Sequence, residues 1–275
     1  MQTLPRACTL QLKSSSKVNF GLWIKEKRVD GCHEIETIYF ENENLFDEIE
    51  IKFSESNELS INVVFLQDKL NNSIPKEQNL AYKAALLFFD KLSVCGKCKI
   101  IVDKKIPIQG GLGGGSSNAA CVLKGLNQIF DYQLHESELL LLSQEIGSDV
   151  SFFILGKTCL GRGRGEELHP LENKLDLNIK VVRLKDIFIP TKYAYELIDS
   201  RDEVLDHRDK ITGLTKAMKQ GDYELFFSNI FNDFEQVIFT QYPELINEKK
   251  KLLDEGFQAV GLCGSGSALY GICRK

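Results

Sequence analysis

Five of the six residues from Gly110 to Gly115 are glycine, within the stretch KKIPIQGGLGGGSSNAA (Lys104–Ala120). Bare backbone is entropically costly to order, so such a run needs a reason. Without side chains, consecutive N–H groups can close on an anion. Where the loop opens into a helix, the free N–H groups of the first turn and the helix dipole add to that attraction. The run ends in Ser116, Ser117 and Asn118, side chains suited to capping a helix and to touching phosphate or magnesium. A flexible linker would not lead from a strand into a strongly periodic helix, so the residues point to a phosphate held between the two.

Other patterns of similar chemistry carry less. SFFILGKT (Ser151–Thr158) contains the GKT of a nucleotide-binding loop, but Phe152, Phe153, Ile154 and Leu155 are built to be buried rather than to wrap a phosphate. No acidic residue stands where a dinucleotide fingerprint would need it. Eight cysteines are scattered along the chain; Cys95 and Cys98 form one CxxC with no second pair to complete a zinc site, and read as an ordinary reduced pair. GRGRGEE (Gly161–Glu167) has too few arginines for an RNA-binding segment and reads as a turn lining the site.

The elements that must position the glycine run follow from periodicity. Strand-like CTLQLKS, KVNFGLWIK, HEIETIYFE and FDEIEIKF are separated by turns such as RVDG and SESNE, and a polar loop, NNSIPKEQN, follows. A helix is predicted from Leu80 to Leu92, with Ala81, Ala84, Ala85, Phe88 and Leu92 on one face. The strand CKIIVDKKIP then leads into the glycines, a second helix is predicted from Ser117 to Phe130, and a third, ESELLLLSQEI, ends at Gly147. Beyond a boundary near Gly161–Pro170 lie the strand NIKVVRL, the segment IPTKYAYELID, helical YELFFSNIFNDFEQVI and PELINEKKKLLDEG, and two strands around a GSGS turn. Strands and helices are segregated, which predicts an α+β protein with domains at 1–163 and 164–275.

The whole-chain properties agree. The 275 residues suffice for two moderate domains; 43% hydrophobic and 27% charged residues describe an ordinary soluble protein. A net charge of −5 advertises neither nucleic acid nor a membrane surface, and no apolar run spans a bilayer or resembles a signal peptide. The reading is of a cytoplasmic protein with a small-molecule partner.

PIQGGLGGGSSNAA resembles the second motif of the GHMP kinases, which phosphorylate small molecules. KVNFGLWI with RVDGCHEIETI resembles the first motif, IGSDVSFFILG a further segment, and GSGSALYGI the C-terminal glycine motif, so the likeness runs from Lys17 to Ile272. It is strongest to the branch whose acceptor is a cytidine diphosphate derivative of methylerythritol, in the non-mevalonate route to isoprenoid precursors. The resemblance implies a domain like domain 2 of ribosomal protein S5 followed by a ferredoxin-like domain, and ATP, with Mg2+, as phosphate donor. It implies that Asp149 and Lys17 are catalytic. Pro107, Ile108, Gln109, Gly110, Gly111, Leu112, Gly113, Gly114, Gly115, Ser116 and Ser117 would hold the phosphates, with Asn79 and Lys104 near the base. Asn19, His33, Thr191 and Tyr195 would hold the cytidine substrate. No resident metal site is implied.

The chain departs from this pattern at Cys32, where the branch has tyrosine, and at Ser151, where it has proline; Gln109 and Cys263 lie within glycine motifs that vary there. Two alternatives stay open: another GHMP kinase acting on homoserine, mevalonate or a phosphorylated mevalonate, and a catalytically silent nucleotide-binding protein of the same fold.

Overall fold

The computed structural model describes residues 7–71, 74–201 and 204–275; residues 1–6, and residues 72 and 73 of the predicted polar loop, lie outside them. In chain order the elements are β1 (Ala7–Lys27), β2 (His33–Ser54), β3 (Ser60–Phe65), α1 (Asp68–Asn71), α2 (Leu80–Leu92), β4 (Lys97–Asp103), α3 (Gly114–Ile129), α4 (Glu136–Ile146) and α5 (Val150–Leu155). They continue with β5 (Cys159–Arg162), β6 (Glu167–Pro170), β7 (Leu177–Val182), α6 (Thr191–Asp199), α7 (Arg208–Gln220), α8 (Tyr223–Ser228), β8 (Phe231–Asn232), α9 (Phe234–Gln241), α10 (Glu244–Asp254), β9 (Ala259–Leu262) and β10 (Leu269–Arg274). The predicted pairs of short strands before and after the RVDG turn are each one long strand. That turn closes through Arg28 N–H to Cys32 O at 2.7 Å. No helix of the described residues is long and apolar enough to cross a membrane.

Contacts group the chain into two units, each discontinuous in sequence: Met1–Ser16, Leu45–Ile106 and Gly113–Gly156 in one, Lys17–Asn44, Pro107–Leu112 and Lys157–Lys275 in the other.

In the first unit β4 runs parallel to β3 and antiparallel to the end of β2, with Ile49 opposite Val102 and Ile51 opposite Ile100. Strand alternation turns Ile49, Ile51, Phe53, Cys98, Ile100 and Val102 inward, where all are buried. The helix predicted from Leu80 to Leu92 is α2, and its buried face includes Ala81, Ala84, Ala85 and Phe88. Phe53, Phe88, Phe89 and Phe130 form an aromatic cluster at centroid separations of 5.0–6.0 Å. Each such buried ring stabilises the unit by about 1.5–3 kcal/mol relative to exposure. α5 is apolar except for Ser151, and Val150, Ser151, Phe152, Phe153 and Ile154 are buried. GKT therefore follows a buried helix instead of opening one, which removes it as a phosphate loop.

In the second unit β10 is the centre of an antiparallel sheet, β7-β10-β9. Ile189, Ala194 and Ile198 around α6, Phe234 and Ile238 of α9, and Leu245 and Leu252 of α10 pack with Val260, Leu262 and Leu269 into its core. The predicted helix YELFFSNIFNDFEQVI is broken. Phe231 and Asn232 pair in parallel with Gly21 and Leu22, while the Asn232 amide donates to Leu262 O at 2.9 Å and Gly264 O at 2.8 Å. These tertiary bonds outweigh one more helical turn.

Candidate active site

Lys17 is buried within β1, and its position is set from both backbone and side chain. Its N–H donates to Leu112 O at 3.0 Å, and its Nζ donates to Asn19 Oδ1 at 2.7 Å. The Asn19 amide donates in turn to Thr37 Oγ1 at 2.9 Å, and that hydroxyl donates to Gly21 O at 2.6 Å. Asn19 O accepts from the buried Tyr270 hydroxyl at 2.9 Å. The Lys17 ammonium also lies 5.5 Å from the Tyr39 ring centroid. The chain of bonds fixes the cation in one place.

Two glycine motifs meet around this cation. Gly111, at φ +75°, has no room for a side chain: a Cβ there would stand 2.6 Å from the Cys263 carbonyl carbon. A Cβ on Gly264 would lie 3.5 Å from Lys17 Nζ and 3.2 Å from Gly111 O. Lys17, the segment Pro107–Leu112 and the GSGS turn thus share one place in the second unit. Burial pushes the neighbouring Cys263 thiol up to about 12, with the Lys17 charge opposing, so it stays a thiol. Gly110 is buried beside Ala268, while Ile108 and Gln109 occupy a turn and Gln109 adopts φ +57°.

The remaining glycines open α3 in the first unit. The helix begins at Gly114, three residues earlier than its periodicity predicted, after Gly113 at φ +69°. Ser116 and Ser117 therefore lie inside the first turn, and Gly113 caps without a side chain. Ser117 and Asn118 are buried: Ser117 Oγ lies 2.7 Å from Ser14 Oγ, and the Asn118 amide donates to Ser14 Oγ at 3.0 Å and Asp47 Oδ2 at 2.8 Å. The expected capping by these side chains is thus corrected, because the helix has already started on glycine and their polar groups hold the loop from behind. Gly115 is exposed, with Leu80 Cδ1 3.7 Å from where its Cβ would be.

Asp47 organises that support. Its carboxylate is fully buried and accepts from Lys105 N–H at 2.7 Å, Ile106 N–H at 2.8 Å, Asn118 and the Lys104 ammonium. Burial pulls the Lys104 ammonium below its ordinary value, and Asp47 opposes that shift. Lys104 Nζ stands 2.7 Å from the position of a Cβ on Gly114, so the cation adjoins bare backbone at the helix start. A sequence signal for Asp47 existed: in FDEIEIKF it shares the inward face with Ile49, Ile51 and Phe53.

Asn79 caps α2, its Oδ1 accepting from Ala81 N–H at 3.0 Å and Tyr82 N–H at 3.3 Å. It lines a cleft of about 250 Å³ together with Ile61, Val63, Ile74, Lys76 and Tyr82, suited to one ring rather than a whole nucleotide. Asp149 is half-buried at the start of α5, whose Ser151 hydroxyl lies 2.7 Å from Ser143 Oγ and whose Phe153 carbonyl accepts from Lys124 at 2.7 Å. Ser151, standing where proline was expected, thereby ties α5 to α4.

The residues expected to hold the cytidine substrate also have definite neighbours. His33 stacks on Tyr195, centroids 5.2 Å apart at 15°. Thr191 Oγ1 lies 3.1 Å from Ser265 Oγ, joining the start of α6 to the GSGS turn. Cys32 is exposed in the tight turn before His33, its N–H donating to Asp30 Oδ1 at 3.0 Å. GRGRGEE is the β5–β6 hairpin turn, beside the same strand: Arg162 donates to Glu36 at 2.7 Å and Gly163 N–H to Glu34 at 3.1 Å.

Comparison with known proteins gives one consistent result. Residues 79–157 match the family model of the GHMP kinases N terminal domain, and residues 214–275 that of the GHMP kinases C terminal. The 4-diphosphocytidyl-2-C-methyl-D-erythritol kinase of Petrotoga mobilis is 38% identical over 262 residues, covering 95% of this chain and 98% of the relative. The protein of that name from Caldicellulosiruptor bescii is 33% identical over 264 residues, with 96% and 89% covered. A crystal structure of 4-(cytidine 5'-diphospho)-2C-methyl-D-erythritol kinase superposes with a TM-score of 0.76 at 30% identity, covering 96% of this chain and 90% of the other. A homoserine kinase from Cytophaga hutchinsonii superposes with a TM-score of 0.78 at only 18% identity, over 97% and 85% of the two chains, a likeness of fold alone.

Proposed function

The chain belongs to the GHMP kinases, and from that premise we propose that it transfers the terminal phosphoryl group of ATP to the 2-hydroxyl of 4-diphosphocytidyl-2-C-methyl-D-erythritol. The observation that carries the acceptor is identity of 33–38% to kinases of that name over nearly the whole of both chains. Homoserine kinase shares the fold equally well but not the sequence.

ATP supplies the phosphoryl group and, in this reading, carries Mg2+ on its phosphates. The fit is to a ligand that needs bare backbone: Gly111 and Gly114 leave no space for a Cβ, and the free N–H groups at the start of α3 suit an anion. Among the described residues no group of three or more His, Cys, Asp or Glu side chains could hold a metal. Asn79 and its cleft would receive the adenine, and Lys104, supported by Asp47, would meet phosphate or ribose at the helix start.

Phosphoryl transfer asks for positioning and charge stabilisation more than covalent help. Asp149 accepts the proton of the acceptor hydroxyl. Lys17, held by Asn19 and Leu112 O, stabilises charge on the transferring group. Asn19, His33, Thr191 and Tyr195 orient the cytidine end. The proposed boundary between the two evolutionary domains is 163/164, and the reaction is placed in the cytoplasm.

The test is ADP release with 4-diphosphocytidyl-2-C-methyl-D-erythritol beside homoserine, mevalonate and phosphomevalonate. Turnover with the first alone is the expected result. Preference for another acceptor would reassign the substrate, and no acceptor-dependent ADP release would favour a silent nucleotide-binding protein.

A further inference from the structure

His33 opens β2 with a side chain only 9% exposed and both ring nitrogens engaged. Nδ1 lies 3.1 Å from the Lys25 carbonyl oxygen, and Nε2 lies 2.8 Å from Oδ1 of Asp199, the last residue of α6. A carbonyl oxygen accepts only, and so does an ionised carboxylate. The two contacts, one at each ring nitrogen, hold the imidazole in one orientation.

Lys27 Nζ donates to the other Asp199 oxygen, Oδ2, at 2.6 Å. That hydrogen bond, with a contribution from His33, holds the Asp199 carboxyl below its usual range, so it is ionised near neutrality. The charged groups facing His33 are thus Asp199 from α6 and Lys27 from β1. The Lys25 ammonium pairs with Glu36 at 3.0 Å, and Glu34 pairs with Arg28 at 2.8 Å.

Geometry also limits how a base could bind. A ring inserted between two others needs about 7 Å, two van der Waals layers of ~3.5 Å. His33 and Tyr195 stand 5.2 Å apart, and Tyr195 meets the edge of Phe234 at 5.0 Å and 79°. Cys32 offers no second aromatic face. The two rings form a closed stack.

We propose that Asp199 is a positioning residue of the acceptor site: through His33 Nε2 it holds the imidazole flat on Tyr195, making the pair a single ledge for the cytidine nucleotide. This rests on the cytidine acceptor assigned above. Asp199 sets the orientation of that ledge.

The experiment titrates cytidine 5'-diphosphate and an ATP analogue into the full chain, for wild type, Asp199→Ala and Asp199→Glu. Asp199→Ala should weaken cytidine diphosphate about 10-fold, the scale of a lost hydrogen bond to a charged group. ATP-analogue affinity should be unchanged, and Asp199→Glu should restore part of the loss. Unchanged cytidine diphosphate affinity in Asp199→Ala, or no rescue by Asp199→Glu, overturns the proposal. A wild type that binds the ATP analogue but no cytidine diphosphate overturns the acceptor assignment and the ledge with it.

Discussion

The Lys17 ammonium is held 2.7 Å from Asn19 Oδ1, and that bond fixes where its charge stands. Lys17→Met is expected to lower turnover by about 10²–10³, the cost of removing one aligned charge-stabilising donor. Asn19→Ala, which keeps the cation but removes its tether, should cost about 10-fold. Steady-state kinetics with thermal melts separates this from misfolding, and equal turnover in both variants and wild type would dismiss Lys17.

Asp149 is expected to act in chemistry rather than in nucleotide binding. Asp149→Asn should cut turnover by about 10²–10⁴ while ATP-analogue affinity stays within a few-fold. Single-turnover measurement of phosphoryl transfer checks this, and a near-normal rate would remove Asp149 from the mechanism.

Gly111 and Gly115 make a controlled pair. Gly111→Ala combines a left-handed backbone with collision against the Cys263 carbonyl and should cost about 3 kcal/mol or more. Gly115→Ala meets nothing closer than 3.7 Å and should leave stability within about 0.5 kcal/mol. Denaturant unfolding of both variants decides it; equal stabilities would mean that Gly111 does not pack against the GSGS turn.

Glu36 supplies a pH dependence. Burial alone would raise its carboxyl, but hydrogen bonds from Lys25 and Arg162 outweigh burial and set it below the usual glutamate range in the folded protein. Because the folded value is the lower one, the contribution is present above the unfolded pKa of about 4.3 and is lost as pH falls through the folded value. Melting temperatures from pH 3 to 7 should therefore fall less steeply on the acid side for Glu36→Gln than for wild type. Parallel curves would contradict the pairing.

Much of this was legible from residue order. The buried face of α2 follows from its period, and the α+β class from the segregation of strands and helices. Inward-facing Asp47 could also have been found, since a strand that alternates strictly leaves a carboxylate there unexplained. What sequence could not supply depended on distant partners. β8 interrupts a helical pattern because Asn232 bonds to carbonyls about 30 residues away, and Asp199 matters only because α6 ends where His33 begins β2. The early start of α3 was hidden because glycine scores poorly as a helix former, yet bare backbone is what the loop requires.

The most direct measurement is the identity of the product. Wild-type chain, ATP with Mg2+ and 4-diphosphocytidyl-2-C-methyl-D-erythritol should give, by 31P NMR, one new phosphomonoester on the 2-hydroxyl with stoichiometric ADP and an intact diphosphate bridge. ADP formed without that phosphomonoester, or phosphate transferred instead to homoserine or mevalonate in a mixed-acceptor reaction, would contradict the assigned reaction.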